Sequence, residues 1–480
     1  MGTRRGSGAN LMGDQEKLFG YGEGFYGPPH QWEDREYLVD FLAAHGLNTY
    51  VYAPKNDPYH RDRWRDPYPV EELTQFESLV ERGNQSGVNV IYAIAPLGMT
   101  LSSSEEMSKL KEKLSPFVAM GARYLTLLFD DVPEHLAPED SGKFANLGEG
   151  HRHVAEEVAE WASPIQLAVC PVEYTGMHMS PYLDEISRLP DEIALAWTGR
   201  GVVCAELSGE DIADRSASLG HPLIVWDNFP VNDATMGAWL HIGPWAGRDH
   251  KTLNASAGLF LNGMSRPRAS AIALGQLGDL VASGADFDPI ESWKQTCREI
   301  GGEALAVFAE QCADSICFAQ PAPELARLIG EAEAAESAEA NASIRGAIQV
   351  ELTRQFEALG EIRESLEDQR LLKEMEPWLD QMGMNLTAMT AAVNGWAECE
   401  PERSGGRFEM EQALGVMAGV MALSRAATGD KNVHGARFGV RASLETVDGG
   451  WRILPNALVT GESQVDRLVK LVFTKMSESR

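Results

Sequence analysis

The chain has 480 residues, of which 44% are hydrophobic and 23% charged, so it is long enough for two or three globular domains. Its formal net charge of −30 disfavours binding to nucleic-acid phosphates and to anionic lipid. Residues 1–15 are polar and glycine-rich, without the apolar core of a signal peptide, and we interpret them as a disordered or tag-like start. The six cysteines form no CxxC pair, and no later apolar stretch suits a membrane span. These features predict a cytoplasmic protein without membrane contacts.

Eight short apolar runs alternate with helical patterns over residues 16–285. The runs are 18–21, 48–55, 88–96, 125–129, 165–171, 193–197, 223–226 and 258–261. Nearly every run ends in a polar, glycine or proline cluster. Eight strand-then-helix units of this total length predict an α/β protein with a (β/α)8 barrel, whose site is built at the carboxyl ends of the strands.

After about Asp286 the sequence is dominated by Ala, Glu, Leu and Met. Amphipathic helical patterns cover 302–312, 322–340, 343–367, 369–398 and 407–427. We therefore predict a helical domain over residues 286–480. A turn sequence at 447–450 lies between β-type runs, so a small hairpin is expected near 436–455.

The most informative stretch is the fourth run, which ends in Asp130 and Asp131 and is followed by Pro133. Two charges at the end of a buried strand are costly unless they reach a polar cleft, and proline cannot continue the strand. Adjacent carboxylates are poorly placed to flank a scissile bond as in ordinary retaining glycosidases. They suit a sugar whose own 2-acetamido oxygen attacks the anomeric carbon. One carboxylate then orients the acetamide N–H, and the other protonates the leaving oxygen and activates water.

Further polar and aromatic residues follow the other predicted strands, which would bring them to one mouth of the barrel. They are Glu23, Lys55, Tyr174, Trp226, Asn228 and Asn262. Each also has a plainer interpretation, as core packing, a turn or a surface ion pair.

Three histidines, His60, His151 and His153, raise the possibility of a metal site. However, His151 and His153 cannot share one helix face, and no acidic residue stands at a supporting spacing. The sequence therefore predicts neither a metal nor a cofactor.

Six segments, in this order, resemble glycoside hydrolase family 84, the family of O-GlcNAcases and related bacterial β-N-acetylglucosaminidases. The segments are 23–28, 47–61, 128–131, 172–174, 197–199 and 226–228. The sequence departs from the family pattern at His30, where tryptophan is frequent, and at Asn56, where aspartate is common. Both departures are close to the expected mouth.

The resemblance implies a role for each matching residue. Asp130 would polarise and orient the acetamido group, and Asp131 would be the general acid/base. Tyr174 would hydrogen-bond the acetamido carbonyl or the leaving oxygen, and Trp226 would form a wall of the N-acetyl pocket. The remaining implied sugar-binding residues are Gly24, Lys55, Asn228, Asp233 and Asn262, with Asp233 reaching the 4- and 6-hydroxyls.

The predicted function is therefore hydrolysis of β-linked N-acetylglucosamine with retention, through an oxazoline and without metal. The substrate would be a glycoprotein, a peptide or a glycan carrying this sugar. Two alternatives remain open: a catalytically silent scaffold that binds N-acetylglucosamine, and a metal-assisted sugar isomerase or deacetylase on the same barrel. The natural substrate, the oligomeric state and the role of the helical domain are also left open by the sequence.

Overall fold

The computed structural model describes residues 16–133, 135–233, 236–237, 239–318, 322–398, 442–447, 450–455 and 464–478. The predicted disordered start at 1–15 and the predicted helix at 407–427 lie outside these residues. The chain forms two compact units. The first runs up to Asp233 and includes Trp245–Ser292, and the second contains Ala234–Pro244 and the chain from Trp293 onward.

The first unit contains a closed barrel of eight parallel strands in sequential order. The strands are β1 (Leu18–Glu23), β2 (Thr49–Tyr52), β3 (Asn89–Ile94), β4 (Tyr124–Leu128), β5 (Gln166–Cys170), β6 (Ala194–Trp197), β7 (Leu223–Asp227) and β8 (Gly258–Asn262). β8 pairs with β1 and closes the barrel, with Leu18 opposite Gly258 and Gly22 opposite Asn262. The predicted (β/α)8 fold is confirmed.

A helix follows each strand and shields its outer face. These helices are α1 (Trp32–Ala44), α2 (Val70–Ser86), α3 (Ser104–Ala119), α4 (Leu147–Ala162), α5 (Pro181–Ile186), α6 (Gly209–Leu219), α7 (His250–Ala255) and α8 (Pro267–Ser283). Capping side chains and a glycine determine where several of these helices begin or end. Asn146 and Ser208 accept a backbone N–H through their side chains, and Gly87 ends α2 in the left-handed conformation at φ 78°.

Alternate residues of the strands fill the barrel interior, because successive strand side chains point to opposite faces. The interior cluster takes residues from all eight strands or their ends, among them Val51, Ile91, Leu128, Ile224 and Phe260. The interior is therefore a packed core, and the carboxyl ends of the strands form the floor of an open mouth.

The second unit is largely helical, as predicted for the region after the barrel. Its elements are α9 (Pro289–Gln311), which begins in the first unit, α10 (Pro323–Ala334), α11 (Ala338–Ser365), α12 (Gln369–Glu398) and α13 (Gln464–Glu478). α9 is kinked at Gly301 and Gly302, and α12 packs against α11 and α13. Two strands, β9 (Ala442–Val447) and β10 (Gly450–Pro455), pair in antiparallel fashion. A domain boundary at residue 285 stays a prediction. A helix with the length and hydropathy needed to cross a bilayer is absent from the described part of the chain.

Candidate active site

The two carboxylates at the end of β4 share one cation. Asp130 and Asp131 stand two and three residues beyond the end of β4, and Lys55 stands three residues beyond the end of β2. The Lys55 Nζ lies 2.5 Å from Asp130 Oδ2 and 2.7 Å from Asp131 Oδ2. Because parallel strands end at the same edge, residues 75 positions apart in the chain meet here. The structure thus brings together the acid pair and the lysine that the sequence indicated.

Asp131 receives two further donors on the same oxygen. The Tyr26 hydroxyl donates to its Oδ2 at 3.0 Å, and the Arg61 Nη2 lies 3.3 Å from it. Burial alone would raise the pKa of Asp131, but Lys55, Arg61 and the Tyr26 hydroxyl lower it on balance. Burial likewise would lower the pKa of Lys55, which the two carboxylates raise instead. Asp131 is therefore held in its ionised form in this structure.

Asp130 has one oxygen that is buried without a donor from the described part of the chain. Its Oδ2 is bound to Lys55, and the side chain is only 17% exposed. Within the residues that the structure describes, its Oδ1 is buried and has no hydrogen-bond partner. A buried acceptor left without a donor is energetically costly. Asp130 therefore retains acceptor capacity that none of the described residues uses, beside the oxygen that Lys55 binds.

A line of amide side chains crosses from β8 to β7. The Gly24 N–H donates to Asn262 Oδ1 at 3.1 Å, and Asn262 Nδ2 donates to Asn228 Oδ1 at 2.9 Å. Asn228 Nδ2 in turn donates to the Val202 carbonyl at 2.8 Å. These bonds determine which way each amide faces, so the two asparagines present oriented polar groups at the mouth.

Two aromatic residues lie over the packed interior. Tyr174 and Trp226 are half-buried and both pack on the core cluster. A Cβ on Gly24 would lie 2.4 Å from Trp226 Cζ2, and one on Gly22 would lie 2.6 Å from Cη2. The indole therefore requires the two glycines of the β1 end. Burial raises the pKa of Tyr174, so its hydroxyl stays protonated at neutral pH.

Asp233 also reaches this edge of the barrel. Its Oδ2 accepts the backbone N–H of Tyr26 at 2.7 Å. The bond ties the β7 loop to the β1 loop, and the same Tyr26 contacts Asp131 through its hydroxyl. All nine predicted site residues thus lie on loops or strand ends at one mouth.

The expectation that Glu23 lies at the mouth is wrong. Its carboxylate is fully buried and accepts from Arg35 Nε at 2.9 Å, Arg35 Nη2 at 3.0 Å and the Tyr50 hydroxyl at 2.6 Å. Gly22 and Gly24 face Trp226, so the residue between them faces the opposite side, toward α1. Burial would raise the pKa of Glu23, but Arg35 and the hydrogen bonds lower it on balance.

His30, one of the departures from the family pattern, belongs to this buried cluster. Its backbone N–H donates to Glu23 Oε1 at 2.9 Å, and its Nε2 lies 2.7 Å from the Tyr21 hydroxyl. The histidine side chain is 5% exposed. It supports the β1 end from outside the barrel.

Sequence reasoning missed two residues, Tyr26 and Arg61, although both stand in segments that carry the family resemblance. Each follows a strand end, β1 for Tyr26 and β2 for Arg61, and that position was the available signal. Side chains alternate regularly along a strand, so the sequence predicts which of them share a face. A loop has no such period, so the direction of its side chains cannot be predicted in this way. Their contact with Asp131 therefore became visible only in the folded chain.

Each of the three histidines considered as metal ligands has a different contact. His60 Nδ1 pairs with the Ala93 carbonyl at 2.7 Å, His151 stacks on Phe129, and His153 Nε2 lies 3.0 Å from Lys143 Nζ. Over the described ranges no group of three or more His, Cys, Asp or Glu residues is arranged to hold a metal ion.

A barrel with an acid pair at its carboxyl-terminal mouth is an arrangement that glycosidases use. The sequence model of the beta-N-acetylglucosaminidase family matches residues 19–313, more than half of the chain, and the chain belongs to that family. Protein O-GlcNAcase of Rattus norvegicus is 34% identical over 282 residues, which are 57% of this chain and 31% of that protein. The Mus musculus protein is 34% identical over 271 residues, 55% and 30% of the two chains. The chain thus spans about a third of the length of these relatives.

Solved structures agree with the fold over more of the chain. An O-GlcNAc hydrolase mutant of Thermobaculum terrenum superposes with a TM-score of 0.80 at 26% identity, covering 96% of this chain and 94% of that one. CpGH84B superposes with a TM-score of 0.75 at 24% identity, covering 86% and 74%, and supports the fold alone. The resemblance drawn from the sequence motifs is confirmed.

Proposed function

We propose that this chain is a retaining β-N-acetylglucosaminidase that removes β-linked N-acetylglucosamine from serine or threonine of proteins or from glycan ends. The reaction proceeds by substrate assistance, through an oxazoline. Family membership and the similarity to an O-GlcNAc hydrolase support the reaction class. The substrate is a glycoprotein, peptide or glycan that carries the sugar, and the chain needs neither nucleic acid nor metal. A cytoplasmic location remains a prediction from the sequence.

One observation carries the proposed mechanism: the buried Oδ1 of Asp130 has no donor among the described residues. The N–H of a 2-acetamido group supplies the missing donor. The bond turns the acetamide so that its carbonyl oxygen attacks the anomeric carbon, and the carboxylate stabilises the positive charge that develops on the amide. Lys55 keeps the other oxygen of Asp130 in place at 2.5 Å.

Asp131 acts as the general acid and then as the general base. A bound sugar excludes water and displaces the exposed Tyr26 hydroxyl, and such burial raises the pKa of a carboxyl group. Protonated Asp131 gives its proton to the leaving oxygen while the anomeric carbon–oxygen bond breaks and the oxazoline forms. The same carboxylate then takes a proton from the water that opens the oxazoline, which restores the β-configuration.

The remaining residues hold the sugar. Tyr174 and Trp226 enclose the acetamido group, with the Tyr174 hydroxyl donating to the carbonyl oxygen. The hydroxyl groups of the sugar bind to residues around the rest of the mouth, which are Gly24, Lys55, Asn228, Asp233 and Asn262.

A second candidate function follows from the ionised state of the Asp131 carboxylate. A carboxylate that three donors hold ionised suits a protein that binds N-acetylglucosamine without cleaving it. Such a scaffold would bind the sugar and release no aglycone, so turnover separates the two functions.

The decisive experiment compares 4-nitrophenyl β-N-acetylglucosaminide with 4-nitrophenyl β-glucoside. We expect release of nitrophenol only from the N-acetylated substrate, with β-N-acetylglucosamine as the first anomer seen by proton NMR. Equal cleavage of the glucoside, or a covalent ester trapped on the protein, would contradict substrate assistance. Binding of the aryl substrate without release would instead support the scaffold.

A further inference from the structure

His151 contacts the strand end that carries the acid pair, although the proposed mechanism does not use it. Phe129 directly precedes Asp130, and its ring stacks on the His151 imidazole with centroids 4.0 Å apart and planes 9° apart. Both side chains are buried, with His151 only 2% exposed. The contact joins the end of β4 to α4.

Tyr182, on α5, extends this contact to the end of β5. Its hydroxyl lies 3.1 Å from His151 Nδ1 and accepts the Val172 backbone N–H at 3.0 Å. Val172 stands two residues before Tyr174. Phe129, His151, Tyr182 and Val172 therefore form a continuous series of contacts, here called the buried link.

The hydroxyl of Tyr182 holds both partners of the buried link at once. It accepts the Val172 N–H and keeps one proton and one further lone pair, so it can pair with His151 Nδ1 in either tautomer of the imidazole. Burial lowers the pKa of His151 to about 3, so the ring stays neutral above that pH. Burial also raises the pKa of Tyr182, which keeps its hydroxyl protonated.

We propose that His151 and Tyr182 are positioning residues that set the separation between the Asp130–Asp131 pair and Tyr174. The inference rests on the proposed function. In that mechanism one planar acetamide contacts Asp130 through its N–H and Tyr174 through its carbonyl. The amide has a fixed length, so the two protein groups must be held at a matching distance. The buried link joins the two chain segments that carry them. Small errors in such a distance are costly, because catalytic groups act only within a narrow range of geometry.

Tyr182→Phe tests the inference by removing the hydroxyl that bonds both partners. We expect kcat/KM for 4-nitrophenyl β-N-acetylglucosaminide to fall about tenfold, a loss that modest misplacement of catalytic groups produces. Affinity for a thiazoline derived from N-acetylglucosamine, which mimics the folded acetamide, falls by a similar factor. Affinity for free N-acetylglucosamine stays within about twofold, because its acetamido group can rotate to fit a shifted site.

A second variant and a control separate positioning from general damage. His151→Phe keeps the ring stack on Phe129 but removes Nδ1, so it breaks the same hydrogen bond as Tyr182→Phe. The double variant should therefore be as active as the less active of the two single variants, because both substitutions remove the same hydrogen bond. Tyr124→Phe removes a hydroxyl at the opposite end of β4 and retains wild-type constants. A melting curve for each protein establishes that it is folded at the assay temperature.

The outcomes are distinguishable. A wild-type protein that releases no nitrophenol overturns the proposed function and this inference with it. An active wild type with unchanged thiazoline affinity in Tyr182→Phe overturns the inference alone. Equal losses of thiazoline and free-sugar affinity, or additive losses in the double variant, assign His151 and Tyr182 to packing and also overturn it.

Discussion

Replacing Asp130 with asparagine tests the central step of the proposed reaction, because the structure dictates how the new amide must lie. Lys55 Nζ stands 2.5 Å from Oδ2 and can only donate. The asparagine must therefore turn its carbonyl oxygen toward Lys55. Its NH2 group then takes the position of Oδ1, the buried acceptor without a partner among the described residues. The variant keeps the shape of the site but offers a donor where the acetamide N–H needs an acceptor.

The expected loss follows from the contacts removed. A hydrogen bond to a charged group contributes about 1.5–3 kcal/mol. The unfavourable contact between two N–H donors and the loss of the stabilising carboxylate charge together add about 1 kcal/mol. The side chain is only 17% exposed, so solvent screens little of this effect. A total of about 2.5–4 kcal/mol corresponds to a fall of roughly 10²–10³-fold in kcat/KM.

The assay measures kcat/KM for a series of aryl β-N-acetylglucosaminides with good and poor leaving groups. Asp130→Asn should lower all of them by the same factor, because orientation of the acetamide precedes departure of every aglycone. The matched variant Asp131→Asn should still bind substrate and should lose most on poor leaving groups, since good ones need little protonation. The reasoning is refuted if Asp130→Asn stays within about tenfold of wild type, or if its loss follows the leaving group.

Three further outcomes are expected. Tyr26→Phe removes a donor that lowers the pKa of Asp131, so that pKa rises and the alkaline limb of the kcat/KM–pH profile moves up by about half a unit; an unmoved limb contradicts this. Glu23→Gln leaves Arg35 buried and unpaired, which lowers the free energy of unfolding by about 3–5 kcal/mol in urea titrations at pH 7. Because the pKa of Glu23 is lowered in the folded protein, the difference in unfolding free energy between wild type and Glu23→Gln is complete above pH 4.5 and shrinks as the pH falls below that value. If the difference does not depend on pH, the charge of Glu23 is excluded as its cause. Dialysis against EDTA should leave turnover unchanged, whereas a loss restored by a divalent ion would favour the metal-assisted isomerase or deacetylase.

The strand ends show how much of the site can be predicted from the pattern of residue types along the chain. Continuous apolar runs that stop at polar clusters identify buried parallel strands, and parallel strands share one carboxyl-terminal edge. These two facts were enough to predict that Lys55 and the Asp130–Asp131 pair lie at one mouth. The structure adds that Lys55 Nζ contacts both carboxylates, at 2.5 and 2.7 Å. The family motifs agreed with the pattern because they are the same strand ends.

Glu23 shows that this pattern does not predict which face of the sheet a side chain takes. A strand end indicates the edge of the sheet, but a shift of one residue decides which face a side chain takes. The packing of Trp226 on Gly22 and Gly24 places Glu23 on the outer face, where Arg35 neutralises it. The sequence alone did not contain that register.

The sequence by itself determined the eight strands, the edge at which they end and the candidate residues for the proposed chemistry, because hydrophobic period and residue type are local properties. Only the tertiary structure decided that Tyr26 and Arg61 reach Asp131 and that His151 and Tyr182 join two strand ends. Those contacts depend on loop paths and helix packing, which arise from the whole fold and from no single segment.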